Sequence, residues 1–158
     1  MARITTNTAN TQPIITINTS VTGANCSLVL PYVQDVTITN STGVYSFTTF
    51  DVADQQKLST PANNEVSTNI VIDDKAFFGD ATGTSNSAMK LGVLSLSSNK
   101  TPITFSIHWA GNVTSTDPVT TGAGFLTNIA AKTSPTAPVW VTPLNIAVDG
   151  TMVSGLSG

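Results

Sequence analysis

Acid–base or nucleophilic chemistry in this chain would have to pass through one imidazole. His108 is the single histidine and stands in ITFSIHWAG beside Trp109, one of two tryptophans. A serine–histidine–aspartate triad is defined by geometry rather than by order along the chain, so any triad here must use His108. No GxSxG elbow accompanies it. Strand alternation sends Ile103, Phe105, Ile107 and Trp109 one way and Thr104, Ser106 and His108 the other, which reads Trp109 as core and His108 as a solvent-facing or interface residue.

The closest carboxylate pair is Asp73 and Asp74 in IDDK. Hard cations favour clustered oxygens, but adjacent strand residues face opposite sides, so the pair reads as the start of a helix. Glu65 is the only glutamate, and HExxH, CxxC and calcium-loop spacings do not occur. GDATGTS lacks the Lys-Ser/Thr that completes a phosphate loop. No metal, cofactor or catalytic residue is therefore expected. Trp109, Trp140, Tyr32 and Tyr45 offer flat faces that could stack on sugars, which keeps a carbohydrate-binding module as an alternative.

The elements that would carry these residues are mostly strands. Apolar residues recur at every second position, and Thr, Val and Ile dominate. PIITIN and CSLVLPYV are the first candidates, the second ended or bent at Pro31. DVTITN and GVYSFTTF read as a hairpin across STG, with Gly43 supplying a positive φ. Asp51 to Asn64 loses periodicity and reads as a long exposed loop. EVSTNIVIDD resumes a strand with Val66, Ile70 and Ile72 inward, and KAFFGD is a helical turn stopped at Gly79. TSNSAMKLG is the best helix, capped by Thr84 or Ser85 and ended at Gly92. VLSLSS and PITFSIHW read as strands, AGNVTSTDPVTTGAG as a second irregular stretch, and FLTNIAAK as a short helical turn. VWVTPLNIAVDGTMV closes the chain with strands bent at Pro143 and turned at Asp149-Gly150. The pattern predicts one mainly β domain over residues 1–158, with two packed antiparallel sheets forming a sandwich or barrel, one short α-helix and long loops.

Composition narrows the function. Charged residues make up 9% of the chain, against about 25% in ordinary domains, and Ser, Thr and Asn replace them. Such a surface does not keep like subunits apart by repulsion. The net charge is −3, and Arg3, Lys57, Lys75, Lys90, Lys100 and Lys132 are scattered, so no phosphate-gripping patch forms. Cys26 is alone and reads as a small, semi-buried apolar residue. Asn18, Asn25, Asn40, Asn99 and Asn112 begin Asn-x-Ser/Thr triplets, which this composition produces by chance. The N-terminal MARITTNTANTQP has no apolar core, and no run is long enough to span a bilayer. Synthesis in a cytoplasm, with no membrane partner, is expected.

The order IVIDDKAFFGD, a short polar helix with small residues, and KLGVLSLSSNKTPITFSIHWAG resembles the major tail tube proteins of tailed bacteriophages. The resemblance covers about a third of the chain. It implies a virion structural protein without enzyme activity, made in the host cytoplasm, whose subunits join edge to edge into hexameric rings. Stacked rings would form the conduit for genome delivery, with DNA as a transient, non-specific passenger and tape-measure and terminator proteins as further partners. It also implies an extended loop or hairpin that meets the neighbouring ring, for which Asp51 to Asn64 is the first candidate and Asn112 to Gly124 the second. A capsid decoration or head–tail joining β-protein is the nearest alternative.

Overall fold

Ile15 and Ile17 fall on alternate positions of one segment, and Ile103, Phe105 and Ile107 on alternate positions of another. In the computed structural model the two segments lie side by side, with Ile15 opposite Ile107 and Ile17 opposite Phe105. All five side chains are buried. The structure describes residues 13–30, 32–110, 118–134 and 136–156.

The strands are β1 (Ile14–Asn18), β2 (Leu28–Val29), β3 (Val33–Thr49), β4 (Val52–Val71), β5 (Ile103–His108), β6 (Pro118–Thr127), β7 (Lys132–Ser134), β8 (Ala137–Val148) and β9 (Val153–Leu156), with helices α1 (Asp74–Phe78) and α2 (Ala88–Ser98) between β4 and β5. All the pairings are antiparallel. The order β2-β1-β5-β6-β8-β4-β3 is continuous, with β7 added beside β8 and β9 beside β6. The mainly β antiparallel fold is thus the one the alternation predicts.

Side-chain parity divides this sheet into a dry face and a wet one. Ile15, Ile17, Ile107, Val66, Ile70, Leu144 and Ile146, drawn from both ends of the strand order, share one hydrophobic cluster. The sheet therefore folds over on itself around a single core, and the two layers anticipated from the sequence are halves of one hydrogen-bonded sheet. The opposite face presents Thr16, Thr104, Ser106, Thr121, Ser67 and Asn69, all exposed or half-buried. Burial of the apolar set supplies the driving force, at roughly 25 cal/mol per Å² of apolar surface.

Several local expectations are corrected. DVTITN, STG and GVYSFTTF form one strand, β3, rather than a hairpin, because β4 supplies a partner along its whole length. Gly43 does not supply a positive φ; it faces the Thr60 hydroxyl across the ladder, which would have to turn aside for a Cβ there. There are two helices rather than one. Asp73 caps α1, accepting from the backbone N–H groups of Lys75 and Ala76, and Gly79 ends it as the sequence suggests. Ser87, not Thr84 or Ser85, caps α2. The helix then runs on through VLSLSS, which is not a strand, since Val93 and Leu96 one turn apart both reach the core. Gly92 kinks α2 instead of ending it. Its φ of 71° and its contact with the backbone of Phe77 and Gly79 leave no room for a side chain. FLTNIAAK is not helical: Phe125 to Thr127 complete β6 on β8. In AGNVTSTDPVTTGAG, residues 118–124 are strand, and the remainder of the second candidate contact segment, 112–117, lies outside the described residues. β8 runs through Pro143 to a turn at Asp149-Gly150, where Gly150 takes a φ of 87°.

Candidate functional site: the β3–β4 ribbon

The segment read as a loop, Asp51 to Asn64, is strand from Val52 onward, and it is half of a long exposed ribbon. β8 pairs with β4 only from Asn64 to Val71. β3 continues to pair from Ser41 opposite Asn63 out to Thr49 opposite Val52. Beyond the sheet these two strands therefore form a two-stranded ribbon, closed by the two residues Phe50 and Asp51. The described side chains of the ribbon are exposed, apart from the half-buried Phe47.

Why a sequence as polar as DQQKLSTPANN forms a strand is answered by its partner. Val44, Tyr45 and Phe47 belong to a β-prone run whose backbone groups need a neighbour, and the next segment of chain is the nearest. Pro61 is accommodated at a register shift between Thr42 and Val44, where a residue that cannot donate breaks no ladder bond.

Polar clamps fix the base of the ribbon. Asp35 accepts from the backbone N–H of Asn69 at 2.8 Å and from its side-chain amide at 3.0 Å. Asn145 donates to Glu65 from the neighbouring strand. Asn64 is buried and donates to the Gly150 carbonyl at 3.0 Å, tying the point where the ribbon leaves the sheet to the β8–β9 turn. The single glutamate is thus a cross-strand hydrogen-bond acceptor at that root.

The outer ribbon carries apolar surface that the other described residues leave uncovered. Tyr45 and Phe47 stack with ring centroids 6.2 Å apart, and Leu58 lies opposite Tyr45 in the register. Val44, Tyr45 and Leu58 are exposed, and Phe50 at the tip is fully exposed. A two-stranded hairpin alone is marginal in water, and long unprotected edges invite pairing. Only Asp51, Asp54 and Lys57 bring charge to the outer part, from Ser41 to Asn63. The arrangement suits docking on protein rather than chemistry.

The other candidates are dispersed. His108 is buried, not solvent-facing, at 9% exposure, and its Nδ1 has no hydrogen-bond partner. Trp109 follows the strand in a turn, half-buried against the core, and donates from Nε1 to Thr120 Oγ1 at 2.9 Å. Cys26 is a buried free thiol. Asp73 and Asp74 sit at the start of α1. Among the described residues no group of three or more His, Cys, Asp or Glu side chains could hold a metal ion, and no helix is long and apolar enough to cross a membrane. Sequence reasoning did not single out Asp80. Hydrogen bonds from the Thr82 backbone N–H and hydroxyl hold it below the usual carboxylate range, against a smaller opposing effect of burial, and Lys75 adds to the lowering at 3.5 Å.

No family model matches the chain, and no curated protein does either. Among solved structures, the chain is similar to one from the tail of an empty gene transfer agent (GTA) particle, determined with helical refinement and C6 symmetry. The TM-score is 0.57 at 10% identity, over 89% of this chain and 95% of that one. The chain therefore shares the fold of a protein of a phage-like tail along nearly the whole length of both.

Proposed function

We propose that this protein is a non-enzymatic virion tail component, a tail tube subunit that forms hexameric rings and stacks them into a conduit for the genome. One observation carries the reading: the fold match spans nearly all of both chains, and its partner belongs to a tail of C6 symmetry. The exposed ribbon supports it, since an arm of this length with apolar side chains and free edges needs another subunit to cover it. Residues 1–158 act as one tail-tube-like domain in this reading, without cofactor, metal or catalytic residue. The Asp51 to Asn64 half of the ribbon bridges successive rings, and tape-measure and terminator proteins engage the tube. DNA passes without being held, as suits a chain with six Lys and Arg in all. The protein is made in the host cytoplasm and resides in the virion tail.

Negative-stain imaging of concentrated protein, alone and with a tape-measure protein, tests this: rings or tubes of uniform bore are expected, and monomers under every condition would overturn it. One observation favours a second reading. Trp140 is 48% exposed on β8, as a sugar-stacking residue would be. Glycan-array binding lost on Trp140→Ala would move the assignment to a carbohydrate-binding module.

A further inference from the structure

Asp149 is the only aspartate in the chain followed by glycine, and no asparagine is followed by one. The pair forms the turn between β8 and β9. Aspartyl links rearrange spontaneously when the next backbone nitrogen attacks the side-chain carboxyl. A glycine in that place obstructs the attack least, since it has no side chain.

The fold leaves this reaction room. Both residues are exposed, and a Cβ built on Gly150 meets nothing within 4 Å. The Asp149 N–H is held by the Ala123 carbonyl at 2.8 Å, and the Gly150 carbonyl is held by the Asn64 side chain at 3.0 Å. Between these two anchors lies the Gly150 N–H, which donates to no acceptor among the described residues. The carboxyl is equally unengaged. Asp35 accepts from Asn69, Asp73 from Lys75 and Ala76, and Asp80 from Thr82, whereas Asp149 has no such partner among the described residues.

We infer that Asp149-Gly150 is a self-modification site, at which the chain isomerises to an isoaspartyl link and so releases the Asn64 clamp at the root of the ribbon. The Gly150 nitrogen bonds to Cγ of the neutral Asp149 carboxyl and gives up its proton. The carboxyl hydroxyl takes that proton and leaves as water, closing a five-membered imide. Water then adds at the Asp149 backbone carbonyl carbon, whose bond to the Gly150 nitrogen breaks. The chain now runs through Cβ and Cγ, and the former backbone carbonyl is a free carboxylate. One water leaves and one returns, so no oxidant or other reactant is needed. The new link is one methylene longer. With the Asp149 N–H fixed on Ala123, the added length carries the Gly150 carbonyl away from Asn64. That side chain is 5% exposed and its Oδ1 already lacks a partner. Losing Gly150 leaves both ends of a buried amide unpaired, which is destabilising.

The test holds the full chain, as wild type and as Asp149→Glu, in warm neutral buffer for weeks; a glutamyl side chain closes only a less favoured six-membered ring. Peptide maps with electron-transfer fragmentation, and methyl transfer by an isoaspartyl methyltransferase, locate the isomer. Wild type should accumulate it at Asp149 at least about tenfold faster than at any other aspartate, and Asp149→Glu should gain none there. Equal rates at all aspartates, or no isomer at Asp149, would overturn the site. The urea midpoint of wild type should fall as the isomer rises, while that of Asp149→Glu holds. Asn64→Ala should start at a lowered midpoint and fall no further on ageing, because the two changes remove one interaction. An isomerised wild type with its midpoint unchanged, or an Asn64→Ala that falls as far as wild type does, would overturn the release of the clamp.

Discussion

His108 shows how far one residue's setting can depart from its parity. Alternation places it with Thr104 and Ser106, and the pairing opposite Ile14 and Val119 agrees, yet the side chain is covered. A buried ring nitrogen without a partner costs about 1–3 kcal/mol, so His108→Leu should leave stability unchanged or raise it by about 1 kcal/mol in urea unfolding. A loss of similar size would reveal a bond to the imidazole. Asp80 gives a prediction with a sign. Its folded-state pKa lies below the ordinary 3.8, so its contribution is present above that value and is lost as pH falls through the lowered one. Acid unfolding of wild type should therefore show a component below about pH 4 that Asp80→Asn removes. Gly92→Ala should cost about 3 kcal/mol, since the new methyl meets backbone at a positive φ.

At the scale of elements, what was legible followed the strength of the local signal. β1 and β5 were readable because strict alternation has one interpretation when one face is dry. α1 was readable from its cap and its stop. The ribbon was not, because a strand with both faces in water has no reason to alternate, and Asp51 to Asn64 reads as a loop until its partner is seen. VLSLSS was misread for a related reason: a short apolar run fits either period, and only contact with the core selects the helix. The one available clue to the ribbon was the run VYSFTTF, too β-prone to be left without a partner. Replacing residues 42–62 by Asn-Gly should close the hairpin at Ser41 and Asn63. Stability should change by less than about 1 kcal/mol, since an isolated hairpin contributes little. In electron micrographs, rings that no longer stack are expected, and normal tubes would refute the role given to this element.

For the whole molecule, association should depend little on salt. The outer ribbon carries three charged side chains, Asp51, Asp54 and Lys57, so raising sodium chloride from about 0.05 to 0.5 M should weaken self-association by less than about threefold, as screening acts only on charged contacts. Sedimentation at the two salt concentrations checks this. The strand order also sets a timetable. Thr16 pairs with Ser106 and Asn64 with Val148, so closing the core means bringing together distant parts of the chain, and sheets of that kind form in milliseconds to seconds. The ribbon has no such wait, because its strands are joined by two residues and a hairpin zips in about 1–10 μs. A newly made chain would thus form and lose the arm many times while its body was still open, since the hairpin alone is marginal. Its apolar side chains and bare edges would then be exposed to other immature chains, and the yield of correct particles would turn on how quickly the body closes relative to how crowded those chains are.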